Sequence, residues 1–143
     1  MAALLEACGL EKTFRTGVVE RPVLRGLSLE VEQGEWVAAM GPSGCGKSTM
    51  LYLLGGLDLP DAGSIRLGDD ELTDFSAPER ARLRRRRVGF VFQQYNLIPH
   101  LDVAGNVELP QRLAGVSRHD ARAKSVELLE ALGLAGRERN LPG

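Results

Sequence analysis

The stretch that decides the fold of this chain reads Gly41-Pro42-Ser43-Gly44-Cys45-Gly46-Lys47-Ser48-Thr49. It fits the pattern Gly-x4-Gly-Lys-Ser/Thr, in which a glycine-rich loop wraps its backbone amides around phosphate groups. Lys47 supplies a point charge for the β- and γ-phosphate oxygens, and the Ser48 hydroxyl is a hard oxygen ligand of the kind that nucleotide-bound Mg²⁺ accepts. The stretch therefore predicts a site for a nucleoside triphosphate.

The residues on either side of this loop supply the context that the pattern requires, a strand before it and a helix after it. Residues 36–40 (Trp-Val-Ala-Ala-Met) form a continuous apolar run of strand length, as expected of a parallel strand buried on both faces. Residues 50–54 are apolar and stop at Gly55-Gly56, a signal that ends a helix. We predict an α/β fold built around this strand, loop and helix.

Length and composition indicate one modest globular domain. The chain has 143 residues, 43% of them hydrophobic and 26% charged, with a net charge of −1. This balance gives no indication of a nucleic-acid partner. No apolar run approaches the roughly 20 residues that span a bilayer, so we expect a cytoplasmic protein. Two cysteines, Cys8 and Cys45, are too few for a disulfide framework and are predicted to be free thiols.

Further elements are predicted on both sides of the loop. Residues 3–8 and 27–31 are strand-like, separated by a polar stretch at 11–22, and residues 64–67 alternate like a half-exposed antiparallel strand. Ser76-Ala77-Pro78-Glu79 has a capping-box pattern with a proline in the first turn, and it leads into a helix with six arginines between positions 80 and 87. We interpret these arginines as a solvated helix face.

The second half of the chain is predicted to hold one more strand and two helices. Residues 88–92 (Val-Gly-Phe-Val-Phe) form a second apolar run, and Gln93 follows it directly. Ligand sites in α/β proteins form beyond the carboxyl ends of strands, so this amide is a candidate for the phosphate end of the site or its Mg²⁺. Helices are predicted over 102–113, short or kinked, and over 117–132 with a possible Ser117 cap. The two histidines, at positions 100 and 119, are assigned to the surface.

These features, in this order and spacing, resemble the nucleotide-binding subunit of ABC transporters. Within that family, residues 55–63 and 88–99 are most similar to the lipoprotein-release and macrolide-export ATPases. The resemblance runs from about residue 3 to the end. It implies a P-loop NTPase fold with a RecA-like core, an antiparallel β subdomain and a helical subdomain. It also implies a division at about residue 93: 1–93 for the β subdomain and core, and 94–143 for the start of the helical subdomain.

The resemblance assigns roles to individual residues. It implies that Phe14 stacks on adenine, where the family more often has tyrosine, and that Lys47 acts on the phosphates and Ser48 on Mg²⁺. Gln93 would be a second Mg²⁺ ligand that senses the attacking water and links the site to the membrane subunits. The ATP-binding residues would be Phe14, Gly41, Pro42, Ser43, Gly44, Cys45, Gly46, Lys47, Ser48 and Thr49. Cys45 is interpreted as a tolerated small residue, although a thiol at a helix N-terminus can be reactive.

The resemblance also implies partners. Residues 95–101 are similar to the surface on which a transmembrane permease subunit docks, and two ATPase subunits would form a homodimer around two ATP molecules. The protein would then sit on the inner face of the cell membrane. The family's Leu-Ser-Gly-Gly-Gln-type signature, acidic Walker B strand and switch histidine do not occur in these 143 residues. We therefore expect an N-terminal part of a longer ATPase that does not hydrolyse ATP by itself.

Three other functions fit part of the same sequence. A soluble phosphate-loop kinase would require a lid with paired arginines and an acceptor pocket, which do not follow residue 93 in recognisable form. A non-enzymatic nucleotide-binding fragment would bind ATP without a membrane partner. An ABC ATPase acting on nucleic acid is disfavoured by the balanced charge.

Overall fold

A computed structural model describes residues 3–142 of the chain. The chain divides into two compact units, Met1–Arg84 and Arg85–Gly143. The division at about residue 93 that the sequence suggested stays a prediction. Among the described residues, no helix is both long enough and apolar enough to cross a bilayer.

The first unit is built on a four-stranded antiparallel sheet. Its strands are β1 (Leu5–Thr16), β2 (Val19–Val31), β3 (Ala62–Leu67) and β4 (Asp70–Glu71), in the order β2-β1-β3-β4. β1 and β2 form a hairpin whose last pair is Thr16 and Val19, and Gly17 supplies the positive φ of +60° that the tight turn needs. Apart from the turn at 17–18, the polar stretch at 11–22 is therefore paired strand, which corrects our prediction that it merely separates two strands.

Two helices and a 3-10 turn accompany this sheet. Helix α1 (Lys47–Leu54) follows the glycine-rich loop and ends at Gly55, as predicted. A 3-10 turn (Leu72–Asp74) leads to helix α2 (Ala77–Arg87). Glu79 accepts a hydrogen bond from the backbone N–H of Ser76 at 2.8 Å, which confirms the predicted capping box. The buried apolar side chains of this unit are Ala7, Leu10, Leu24, Leu53, Ile65, Leu72 and Leu83.

Two predicted strands do not form. Residues 36–40 and 88–92 have no regular secondary structure, and Trp36 is 98% exposed. Both segments have the apolar pattern of buried strands, but a strand also needs a neighbour for its backbone hydrogen bonds. Among residues 3–142, the strand ladders are confined to β1–β4. These predictions were wrong because the apolar pattern specifies burial, whereas pairing depends on residues elsewhere.

The second unit contains two helices that pack together. Helix α3 (Val103–Leu113) begins at Asp102, whose carboxylate accepts from the Gly105 N–H at 2.7 Å, and it contains Pro110. Helix α4 (Arg118–Ala131) begins at Ser117, which caps it by accepting from the Asp120 N–H, as predicted. Polar side chains contribute two of the contacts between these helices. Gln111 Nε2 donates to Ser125 Oγ at 3.0 Å, and the Arg122 guanidinium lies 2.9 Å from the Glu108 carboxylate.

The spacing of Leu128, Leu129 and Leu132 in the sequence predicts that they share the apolar face of α4, and this prediction was wrong. Ala121, Ser125 and Leu129, spaced four residues apart, are buried, whereas Leu128 and Leu132 are exposed. His100 and His119 are both exposed, which confirms their predicted surface positions. Cys8 and Cys45 are free thiols, which confirms the prediction from the cysteine count.

Candidate functional site

The glycine-rich loop lies directly before α1 and leaves the first turn of that helix open. Gly46 occupies the N-cap position with φ +101°, and no side chain caps the turn. Gly44, at φ +79°, has the same left-handed backbone. The first backbone N–H groups of a helix lack partners within the helix and carry its positive dipole end. This arrangement suits an anion that accepts several hydrogen bonds at once.

Lys47 extends back over the loop instead of out into solvent. Its ammonium donates to the carbonyl oxygens of Gly41 at 2.7 Å and Pro42 at 2.8 Å, and it lies 3.6 Å from Cys45 Sγ. The three contacts fix the charge at the mouth of the loop, next to the open helix turn. An oxygen of a phosphate group would therefore meet both the ammonium and the backbone amides.

Strand β2 supports the loop from behind. A Cβ added to Gly46 would lie 2.9 Å from Val23 Cγ1, 3.2 Å from the Leu24 side chain and 3.2 Å from the Val23 carbonyl oxygen. The loop therefore approaches β2 as closely as a residue without a side chain allows. Because Leu24 is buried in the core, the position of the loop is tied to the sheet.

The turn end of the β1–β2 hairpin carries Phe14 and Arg21, and Arg21 reaches the loop. The two residues are direct partners in the antiparallel ladder, so their side chains lie on the same face. The Arg21 guanidinium lies 3.5 Å from the position that a Cβ on Gly44 would take. Phe14 is 44% exposed, and its ring is accessible for stacking.

Lys12 connects this hairpin to the segment after α1. Its ammonium lies 2.8 Å from the Asp58 carboxylate, donates to the Leu59 carbonyl oxygen at 2.6 Å, and sits 5.7 Å from the centre of the Phe14 ring. Burial alone would raise the pKa of Asp58, but hydrogen bonds from Lys12 and the Leu59 N–H more than offset this and hold the pKa below its usual value. The Asp58 carboxylate is therefore ionised at neutral pH, and its partner Lys12 lies near the Phe14 ring.

The predicted nucleotide-binding residues thus lie in one region of the first unit. Phe14 is the ladder partner of Arg21, which reaches Gly44 of the loop. Lys47 spans the loop mouth, and Ser48 is exposed in the first turn of α1. The remaining loop residues are exposed or half-buried: Gly41, Pro42, Ser43, Gly44, Cys45, Gly46 and Thr49. Among residues 3–142, no group of three or more His, Cys, Asp or Glu side chains is arranged to hold a metal ion.

The other predicted site residues lie in the second unit. Gln93 is exposed in the irregular segment after the stacked rings of Phe90 and Phe92, whose centres are 5.5 Å apart. Residues 95–101, which we call the docking loop, present Tyr95, Leu97 and Ile98 as exposed large hydrophobic side chains. Exposed apolar residues grouped in one loop are typical of a protein–protein contact surface.

Sequence reasoning missed two residues of these sites. Arg21 gives no signal by itself, because its approach to Gly44 depends on the hairpin register that pairs it with Phe14. Asn106 is a poor helix former within α3, and that mismatch was an available signal. Its side-chain amide bonds to the backbone of the docking loop.

Comparisons with known proteins agree with these observations. A family profile described as "ABC transporter" matches residues 24–142. The chain is 42% identical over 142 residues to an uncharacterized ABC transporter ATP-binding protein of Thermotoga maritima, covering 99% of this chain and 61% of that protein. It is 44% identical over 139 residues to the lipoprotein-releasing system ATP-binding protein LolD of Maricaulis maris, covering 97% and 61%.

The chain is also similar to an ATP-binding/permease protein and to a solved ATP-binding cassette. The chain is 42% identical over 141 residues to the macrolide export ATP-binding/permease protein MacB of Syntrophobacter fumaroxidans, covering 97% of this chain and 20% of that protein. It matches the solved dimeric structure of the ATP-binding cassette MJ0796 in a post-hydrolysis state, bound to ADP and Pi, with a TM-score of 0.87 and 36% identity. That match covers 96% of this chain and 60% of the other, so the chain spans about three fifths of these cassettes.

Proposed function

The chain belongs to the ABC transporter family, and from this premise we propose that it binds ATP for a transporter whose membrane permease is driven by ATP binding and hydrolysis. The fold is that of an ATP-binding cassette. The sequence is related to the ATPase regions of a macrolide-export and a lipoprotein-release protein. We propose that the whole transporter works in one of these two ways, export or lipoprotein release.

The observation that carries the proposal is the phosphate loop of the first unit. Lys47 lies across the loop mouth, and the first turn of α1 is left without a side-chain cap. In the proposed complex, the Lys47 ammonium gives up its two carbonyl contacts for oxygens of the β- and γ-phosphates. The amides of residues 44–49 complete the shell, and the negative charge is balanced by Lys47 and the helix dipole.

The base and sugar of the nucleotide would lie along the hairpin. Phe14 offers a ring face for adenine stacking, as the family resemblance implies. Arg21, its ladder partner, stands between this ring and Gly44. A nucleotide that reaches from Phe14 to the loop passes this guanidinium, so we include Arg21 among the proposed contacts to its sugar–phosphate part.

Mg²⁺ would be held through oxygen ligands. The Ser48 hydroxyl and the Gln93 side-chain oxygen are hard donors of the type that Mg²⁺ accepts together with phosphate oxygens and water. When bound, the ion neutralises charge that develops on the transferring phosphoryl group. Ser48 lies in the exposed first turn of α1, next to Lys47, which fits this role. Gln93 would also orient the attacking water.

The proposed partners follow from the family. The cassette MJ0796 was solved as a dimer, and we propose that the whole protein forms a homodimer around two ATP molecules. The docking loop would contact the permease, which would hold the ATPase at the inner face of the membrane on its cytoplasmic side. We retain the proposal that residues 1–93 belong to the β subdomain and core, and residues 94–143 to the helical subdomain.

ATP titration of the purified chain tests the proposal. We expect Lys47→Ala to weaken ATP binding at least tenfold, as expected for the loss of charge-assisted hydrogen bonds worth about 1.5–3 kcal/mol. Lys124→Ala is the matched control, because it removes the same charge from an exposed position on α4. Equal ATP affinity in both variants, or no binding by the unaltered chain, would contradict the proposed function.

A further inference from the structure

The side chain of Asn106 in α3 bonds the backbone of the docking loop. Asn106 Oδ1 accepts from the Ile98 N–H at 2.7 Å, and Nδ2 lies 3.1 Å from the Ile98 carbonyl oxygen and 2.9 Å from that of Leu101. Nδ2 also lies 3.1 Å from the Asp102 carbonyl oxygen. Both polar ends of the amide are therefore engaged with the backbone that leads into α3.

Asn106 is an unusual choice for its position in the helix. Asparagine is among the weaker helix formers because its side chain competes for local backbone groups. Here the side-chain amide bonds backbone groups of residues 95–101, which have no helix or strand hydrogen bonds of their own. The Leu101 N–H donates to the Ile98 carbonyl oxygen at 3.1 Å, so Asn106 closes a turn that the loop has already begun.

In this loop conformation, the apolar side chains of the docking loop are exposed to solvent. Tyr95 is 92% exposed, and Leu97 and Ile98 are also exposed. Asn96, between them, has a φ of +48°, a left-handed backbone that asparagine adopts more readily than most residues with a Cβ. A loop that presents apolar side chains and has no helix or strand pairing needs an external anchor to keep one shape.

We propose that Asn106 is the positioning residue of the docking loop: it fixes Ile98 and Leu101 so that Tyr95, Leu97 and Ile98 meet an apolar segment of the membrane subunit. This rests on the proposed function. Asn106 itself does not contact the partner in this scheme. Its effect passes through the backbone of Ile98, which it bonds at both the N–H and the C=O.

The test uses the whole ATPase and its membrane subunit in detergent, with two variants of Asn106. Asn106→Ala removes every side-chain bond to the loop. Asn106→Asp keeps an acceptor for the Ile98 N–H but removes the donors to three carbonyl oxygens. We expect both variants to lose affinity for the membrane subunit at least tenfold. The amide of Ile98 should exchange its hydrogen at least tenfold faster in Asn106→Ala, which has no acceptor for it, and less so in Asn106→Asp, which keeps that acceptor.

A matched control separates positioning from general loss of stability. Ser117→Ala removes the cap of α4 in the same unit, away from the docking loop, and is expected to lower stability while leaving membrane-subunit affinity within about twofold. The proposal is overturned if Asn106→Ala binds the membrane subunit as Ser117→Ala does, or if exchange at Ile98 is unchanged. A failure of the proposed function is distinguishable, because the unaltered ATPase would then show no binding to the membrane subunit, whereas the exchange at Ile98 still decides whether Asn106 holds the loop.

Discussion

Replacing Gly46 with alanine tests whether the phosphate loop depends on its contact with β2. Gly46 has a φ of +101°, and a side chain in this left-handed region costs about 1–2 kcal/mol. The new Cβ would lie 2.9 Å from Val23 Cγ1 and 3.2 Å from the Val23 carbonyl oxygen. Overpacking of this kind typically adds about 1–3 kcal/mol. The expected loss of unfolding free energy is therefore about 2–5 kcal/mol.

The loop and the strand must separate to admit the methyl group, so the loss should appear in ligand binding as well as in stability. We expect Gly46→Ala to bind ATP at least tenfold more weakly and to unfold at a lower urea concentration. Gly26→Ala is the matched control on the same strand: its φ is +80°, and a Cβ there has no neighbour within 4 Å. Gly26→Ala should lose only the stability that a side chain at positive φ costs, about 1–2 kcal/mol, and it should keep its ATP affinity. If the two variants had the same urea stability and the same ATP affinity, the close contact between loop and strand would contribute to neither.

Three further predictions follow from the surroundings of the loop. Phe14→Ala should weaken ATP binding several-fold while tyrosine at this position preserves it, as measured by ATP titration; equal affinity in all three proteins would exclude stacking on this ring. Arg21→Ala should also weaken ATP binding, whereas Arg25→Ala, the same charge change on the same strand, should not, and an equal effect of both would indicate only a general charge effect. The lowered pKa of Asp58, in which Lys12 and the Leu59 N–H overcome burial, contributes stability above about pH 4 that is lost as the pH falls through the folded-state pKa. The stability gap between the wild type and Asp58→Asn in urea unfolding should therefore narrow below about pH 4, and a constant gap would contradict this.

Several features of the fold could be predicted from local sequence because their causes are local. Both helix caps, at Ser76 and Ser117, form as predicted, since a cap involves residues only three positions apart. The end of α1 at Gly55 also depends only on neighbouring residues. Membership in the ABC transporter family was predictable because the phosphate loop is a contiguous stretch, and the family profile confirms it.

The features that were missed depend on residues far apart in the chain. The polar residues of the hairpin end stay in β1 and β2 because backbone pairing stabilises them without burial. Conversely, residues 36–40 and 88–92 have the apolar composition of strands but no strand neighbour in residues 3–142. The place of Arg21 beside Gly44 also depends on register, because a shift of one residue would turn its side chain to the other face.

The exposure of Trp36 gives this protein an internal optical reporter. Trp36 is the only tryptophan in the sequence, and its side chain is surrounded by solvent at the start of the apolar run at 36–40. Indole fluorescence moves to shorter wavelength when water is removed from around the ring. Any event that covers this run, such as strand pairing with another polypeptide, can therefore be followed by the emission colour of a single side chain without attaching a dye.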